Sequence, residues 1–229
     1  MAEDDVSVPL KNLTKFVRQL SHDLRNYLNA AELQAAFISE IATDDEVKSE
    51  LKRLREMVGE LGAVLQKLTS ALGEIRLNAM PYSVRDFLED IRQKLATDFP
   101  DSTSSFTWNL AADKGATIEI DPQLLQQAVL ELFENAVRLK SAEAKIVVSA
   151  ETSNGEFVLE LTEPKTGGEC DPSWWGREPL RAVSHGHYGL GLYRAARIVA
   201  AHSGRFETQY DRGGSCLVST VRLPLAPAE

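Results

Sequence analysis

Apolar residues recur along the first third of the chain at Leu10, Leu13, Val17, Leu20, Leu24, Leu28, Ala31, Ala35, Ile38 and Ile41, mostly in alternating steps of three and four. That spacing predicts one long helix from Leu10 to Ile41 with a single apolar seam. A polar break follows at Thr43-Asp44-Asp45-Glu46, where Asp44 or Asp45 is suited to cap a new helix. The seam then resumes at Val47, Leu51, Leu54, Val58, Leu61, Leu65, Leu68, Leu72 and Ile75. Two such helices, each about 50 Å long at 1.5 Å per residue, find too little partner surface in a monomer of this size. One solution is an antiparallel hairpin lying on a globular domain; the other, which the regular seam favours, is a homodimer in which two hairpins form a four-helix bundle.

Pro81 is expected to stop the second helix, and from Tyr82 the periodicity becomes mixed. The domain boundary therefore falls near residue 80, giving a hairpin over 1–80 and a separate α/β domain over 81–229. Within the latter, the pattern predicts helices near 83–98, 122–139 and 189–202, and strands near 106–110, 116–120, 145–151, 156–162, 205–210 and 215–223. Ser153-Asn154-Gly155 and Asp211-Arg212-Gly213-Gly214 read as hairpin turns, since Asn and Gly tolerate positive φ. Residues 163–188, rich in Pro and Gly, make a connection longer than most, and long connections on rigid domains tend to carry function.

Composition narrows the field. Lys and Arg number 25 against 34 Asp and Glu, a formal charge of −9, which argues against general binding to nucleic acid or an anionic membrane surface. No apolar run reaches the roughly 18 residues of a membrane span, and the start MAEDD lacks the parts of a signal peptide, so the expected compartment is the cytoplasm. Cys170 and Cys216 show no metal-ligand spacing and are expected as reduced thiols.

Three groups of residues carry candidate chemistry. With Val17 and Leu24 at heptad position a and Leu20 at d, His22 falls at f, farthest from the seam. That leaves it as surface filler or as an accessible nucleophile, with Asp23 adjacent and Arg25 and Asn26 on its own face. A phosphoryl acceptor needs an open imidazole nitrogen, a carboxylate to hold the tautomer and take a proton, and a polar group to position water. On the helix after Asp121-Pro122, Gln127, Glu131, Asn135 and Arg138 form a polar stripe opposite Leu125, Val129, Leu132, Ala136 and Leu139. The stripe is either a solvated face or a site, with the Asn135 amide oxygen suited to Mg²⁺ beside substrate phosphates, Glu131 to a base and Arg138 to a phosphate. Finally, Gly189 and Gly191 open an amphipathic helix, as a tight turn or as a place where backbone N–H groups approach a phosphate.

In this order the three groups resemble the catalytic core of a bacterial sensor histidine kinase, from about Leu10 to Leu223. SHDLRN resembles the H-box, with His22 as phosphoacceptor, Asp23 in the acidic position and Asn26 in the position linked to phosphatase action. QQAVLELFENAVRL resembles the N-box, which implies Asn135 as magnesium ligand, Glu131 at a position that is Asn in many kinases and a catalytic Glu in gyrase relatives, and Arg138 as a phosphate contact. YGLGLYRAARIVAAHSG resembles the second glycine box, with Gly189 and Gly191 at the nucleotide and His187 in place of the leading glycine. The first glycine box is altered: the aligned stretch is Glu163-Pro164-Lys165-Thr166-Gly167, with Glu163 where an Asp accepts the adenine amino group and Gly167 the one surviving glycine. Trp175 and Glu178-Pro179-Leu180 loosely resemble the aromatic lid box.

The resemblance implies an α+β chain, a dimeric hairpin bundle followed by a two-layer sandwich of the gyrase and histidine-kinase ATPase type. It implies a phosphoryl group carried on His22 and exchanged with an aspartate on the receiver domain of a response regulator, whose own Mg²⁺ assists. Two donors are open, Mg-ATP in an autophosphorylating kinase or a phosphorylated regulator in a relay. The altered first glycine box and Lys165 lead us to expect weak ATP binding and so to lean to the relay. A non-catalytic dimeric adaptor is the alternative of another class, disfavoured because an adaptor needs neither an exposed His22 nor Asn26.

Overall fold

A computed structural model describes residues 9–113, 115–139, 144–165, 171–179, 181 and 189–227. The chain divides into two compact units, Met1–Glu74 and Ile75–Glu229.

The first unit is an antiparallel pair, α1 (Leu10–Ile41) and α2 (Asp45–Ala71). Asp44 caps α2, its carboxylate accepting from the Glu46 N–H at 2.8 Å, and Asp45 and Glu46 add negative charge to the first turn, where the helix dipole favours it. The helix ends earlier than its apolar pattern suggests, at Ala71 rather than beyond Ile75, just before Gly73. Pro81 is therefore not its terminator; it lies in a strand of the second unit.

The seam also divides into two lines. Ser21 and Ala35 are buried and Leu28 half-buried, spaced by sevens on one side of α1. Leu20 and Leu24, expected at the centre of the seam, are 44% and 38% exposed. With Phe16 and Ile41 on α1 and Val47, Leu54, Met57 and Leu61 on α2, they make a second apolar stripe open to solvent.

The second unit opens with β1 (Met80–Ser83), which pairs antiparallel with β3 (Thr117–Ile120). This short strand escapes the sequence pattern because its pairing partner lies almost forty residues away along the chain. It is also why the boundary lies nearer 75 than 80: Ile75 already packs on the second unit's core. Then come α3 (Val84–Asp98), a 3₁₀ turn Pro100–Ser105, β2 (Phe106–Ala111), β3, α4 (Pro122–Leu139), β4 (Ile146–Ser153), β5 (Glu156–Pro164), α5 (Gly191–Ala201), β6 (Arg205–Asp211) and β7 (Cys216–Pro224).

The five-stranded sheet runs β2-β4-β5-β7-β6, parallel between β2 and β4 and antiparallel elsewhere. One face carries Ile146, Val148 and Ala150, then Phe157, Leu159 and Leu161, then Val221 and Leu223. These bury against Phe87 and Ile91 of α3, Leu125, Val129, Leu132, Phe133 and Ala136 of α4, and Ala195, Ile198 and Val199 of α5. The β4–β5 turn uses Asn154 at φ 52° and Gly155 at φ 77°, the left-handed pair a two-residue hairpin requires. In the β6–β7 turn the left-handed residue is Ser215, at φ 48°, rather than either glycine.

Candidate functional site

His22 stands on α1 with its side chain 70% exposed. Its Nδ1 lies 3.2 Å from Asp23 Oδ1, and the same carboxylate oxygen accepts from Gln19 Nε2 at 2.9 Å. With Nδ1 turned to a carboxylate, the favoured neutral tautomer carries its proton there and leaves the Nε2 lone pair outward. Among the described residues Nε2 has no hydrogen-bond partner. Asn26, one turn on, is exposed on the same side.

Arg25 departs from expectation. It does not share the open face of His22; its Nη2 reaches across to α2, donating to Thr69 Oγ1 at 2.9 Å and to Gln66 Oε1.

In the second unit, α4 presents the polar stripe beside α5. The Asn135 side-chain amide donates to the Glu131 carbonyl at 2.8 Å, and its Oδ1 accepts from Arg138 Nη2 at 2.5 Å. Gly191, the first residue of α5, owes its identity to Glu131: a Cβ there would stand 1.6 Å from the Glu131 Oε1. Gly189 is required for another reason, a backbone φ of 63°.

Sequence reading missed Arg194, which donates to Gln127 Oε1 at 3.2 Å and feels the Glu131 charge. Burial lowers its pKa below the usual guanidinium range, while the Glu131 carboxylate opposes that change and Arg197 adds to it. The available signal was its place four residues after Leu190 and four before Ile198, in line with two buried side chains.

Glu163 continues the inward-facing alternation of Phe157, Leu159 and Leu161 along β5, so its carboxylate enters the helix-covered face. Burial raises its pKa from the ordinary 4.5, and the Lys165 ammonium, 2.8 Å from Oε2, offsets part of that rise. Only 5% of the Glu163 side chain and 14% of Lys165 are exposed, so this is a desolvated ion pair rather than a surface one. Backbone from Lys165 to Ser215, at 2.9 Å, extends the β5–β7 ladder and holds the lysine in place. Gly167, His187, Leu180 and Cys170 lie outside the described residues; Cys216 is a half-buried free thiol. The stretch around Trp175 and Glu178 is seated by Gly176, at φ 72°, where a Cβ would meet Ala196 and Phe206 at 3.0 Å.

Whether these residues fit magnesium can be judged from the donors. Among the described residues no cluster of three or more His, Cys, Asp or Glu side chains is placed to hold a metal. Mg²⁺ needs few protein ligands when substrate phosphates and water supply the rest. Asn135 fits that role, because the Arg138 side chain covering its oxygen is exposed and can turn to a phosphate. No described helix is long and apolar enough to cross a membrane.

Residues 120–227 match the family of histidine kinase-, DNA gyrase B- and HSP90-like ATPases. The chain is 24% identical over 222 residues to the adaptive-response sensory kinase SasA of Synechococcus elongatus, covering 88% of this chain and 56% of that protein. It is 24% identical over 218 residues to the signal transduction histidine-protein kinase BarA of Escherichia coli, covering 88% of this chain and 24% of BarA. Its fold is similar to that of full-length ShkA in complex with AMPPNP, with a TM-score of 0.74 at 21% identity over 93% of this chain and 46% of that one. The histidine kinase AdeS of Acinetobacter baumannii follows at a TM-score of 0.55 and 18% identity, over 90% of this chain and 98% of AdeS. The chain thus spans about half the length of the first of these relatives, and less of the second.

Proposed function

Since residues 120–227 match the histidine kinase-type ATPase and the chain is built as a two-component histidine kinase catalytic core, we propose that it is an ATP-dependent kinase that phosphorylates its own His22 and passes the phosphoryl group to an aspartate of a response regulator. The observation that carries this reading is the His22 imidazole, exposed, tied at Nδ1 to Asp23 and open at Nε2. The Nε2 lone pair forms the N–P bond as the bond from phosphorus to the leaving oxygen breaks. Asp23 holds the Nδ1 proton and accepts it as positive charge develops on the ring. Transfer onward reverses the sense, with the regulator's carboxylate as nucleophile and the imidazole as leaving group. Asn26 is suited to orient the water that removes phosphate from the regulator.

On the nucleotide side, Arg138 would turn from the Asn135 oxygen to hold a phosphate, and that oxygen would then hold Mg²⁺. The metal, when bound, supplies charge neutralisation at the phosphates. Two copies of the hairpin pair through the open stripe of Leu20, Leu24, Leu54, Met57 and Leu61. The acceptor domain docks beside His22, where Leu33 and Phe37, three and four turns along α1 on the same side, are 75% and 56% exposed. The reaction belongs in the cytoplasm, where ATP and regulators meet.

A second reading, the relay in which a phosphorylated regulator is the donor, is favoured by the Glu163–Lys165 ion pair. A carboxylate neutralised by its own neighbour is a poor acceptor for an adenine amino group. The relatives, which are named as kinases, favour ATP over the relay expected from sequence. One experiment separates the two. The chain is incubated with γ-labelled Mg-ATP and, separately, with a labelled phospho-receiver domain, and acid-labile label is followed. Label from ATP establishes the kinase; label from the receiver alone establishes the relay; label from neither rejects both.

A further inference from the structure

We propose that Arg25 is the positioning residue for His22: by binding Gln66 and Thr69 across the hairpin it fixes the rotation of α1 and so the direction in which the imidazole points. The inference rests on the reading of His22 as the phosphoryl carrier and adds to it the device that aims the carrier.

Apolar contacts between two helices carry no donor–acceptor direction, each atom pair contributing about 0.1–0.2 kcal/mol. A hydrogen bond does carry one, weakening steeply as its angle falls below about 120°. The Arg25 Nη2 has two protons, and it presents one to Thr69 Oγ1 and the other to Gln66 Oε1. Thr69 is itself constrained: its hydroxyl lies 2.8 Å from the Leu65 carbonyl and 3.1 Å from that of Gln66, so its proton is spent on its own helix and its oxygen is left to accept from Arg25. The result is a chain with one sense, from Arg25 to Thr69 to the α2 backbone. Arg25 is half-buried, where losing such a contact costs more than at an open surface. Two turns along, Arg55 Nε donates to Glu32 Oε1 at 2.7 Å, a second cross-helix contact that fixes the vertical register. Glu32 and Arg55 are 39% and 47% exposed, so this outer pair is the weaker of the two pins.

The reacting group sits three residues before Arg25, less than one turn away. A side-chain tip about 6 Å from the helix axis moves about 2 Å when the helix turns by about 20°. A displacement of about 1 Å from the reactive geometry is enough to lose about 10²-fold in rate. Arg25 therefore governs transfer without touching phosphate.

The test uses the full chain with Arg25→Gln and, from the other helix, Gln66→Leu combined with Thr69→Val. Three quantities are read: label on His22 from its macromolecular or nucleotide donor, label on His22 from potassium phosphoramidate, and the distance between spin labels. Phosphoramidate is small and free to approach any exposed imidazole, so it reports nucleophilicity without aim. The spin labels replace Asn29 and Glu60, both exposed, in a Cys170→Ser, Cys216→Ser background diluted with unlabelled protein. Both sets of variants are expected to slow donor-dependent labelling about 10- to 100-fold, to leave phosphoramidate labelling within twofold, and to shift or broaden the spin-label distance by about 2 Å. Unchanged donor-dependent labelling, or an unchanged distance distribution, overturns the inference. An equal loss with both donors overturns it as well, since the defect would then lie in the imidazole itself. If the unmodified chain takes no label from any donor, the carrier reading has failed, and the distance measurement still decides whether Arg25 sets the rotation.

Discussion

The two histidines with described surroundings make opposite use of the same ring. His22 projects from α1 into solvent, with one nitrogen on a carboxylate and the other open. His202, at the end of α5, is 5% exposed, and both its nitrogens are consumed: Nε2 accepts from the Asp121 N–H at 2.9 Å, and Nδ1 donates to the Ile198 carbonyl at 2.8 Å. The first arrangement leaves chemistry available, whereas the second spends it on joining α5 to the start of α4. The contrast extends to the surrounding regions. In the hairpin His22 keeps one ring nitrogen open while Asp23 and Arg25 beside it are hydrogen-bonded. In the α/β unit the polar side chains of the candidate site are themselves engaged, Glu163 with Lys165, Asn135 with Arg138 and Gln127 with Arg194. Activity and stability should therefore separate in the first region and move together in the second.

The sharpest break is His22→Ala. Label from every donor is expected to disappear, while unfolding free energy stays within about 0.5 kcal/mol of the parent, as for an exposed side chain without packing. Acid-labile label on the variant would place the carrier elsewhere.

Next in size is the pair Leu54→Lys and Leu61→Lys. In one protomer both side chains are about half exposed, so an isolated chain would accept the change easily. In a four-helix bundle each buried ammonium costs several kcal/mol, and the mass at micromolar concentration should fall from dimer to monomer. A monomeric mass for the unmodified chain would remove the bundle from the proposal.

His202→Ala tests the other side of the comparison. It leaves the Asp121 N–H and the Ile198 carbonyl without their partner in a buried place, which costs about 1–3 kcal/mol for each group left unsatisfied. Urea denaturation followed by circular dichroism measures it. A change as small as that of His22→Ala would mean that the ring is not the rivet its contacts describe.

Sequence alone carried much of this, and its failures have physical causes. The ends of α1 and α4 agree with the periodicity because apolar residues recur at steps of three and four along the whole of each helix. β1 stayed hidden because four residues with no alternation of their own become a strand only by pairing with β3. The exposure of His22 was legible, since one polar position in a long heptad pattern has a fixed direction. The crossing of Arg25 to α2 was not, because a long cation can lie along either flank of its helix and only Gln66 and Thr69 decide which. The glycines show the same limit. The letters at 189 and 191 allow a tight turn or a phosphate loop, and only the structure shows that the first has a positive φ and the second the space taken by Glu131.

The smallest expected effect concerns Glu163, and its sign is the test. Burial raises the carboxyl pKa above its ordinary value of 4.5 and Lys165 offsets only part of the rise. Below 4.5 the folded and unfolded chains both hold the proton, so the group contributes nothing to the pH dependence. As pH climbs from 4.5 through the raised folded value, the unfolded chain releases its proton more readily, and stability is lost across that window. Above it both states are ionised and the loss is complete. Glu163→Gln cannot titrate, so the difference between parent and variant unfolding free energies should drift in favour of the variant as pH rises through this window and then level off. Other carboxylates cancel in the difference, Asp171 among them, whose pKa is lowered by its hydrogen bonds from Ser173. A drift in favour of the parent would mean that the Lys165 ammonium outweighs desolvation. Glu163 would then be a well-stabilised anion at neutral pH, and the ion pair a firmer obstacle to nucleotide than its burial alone implies.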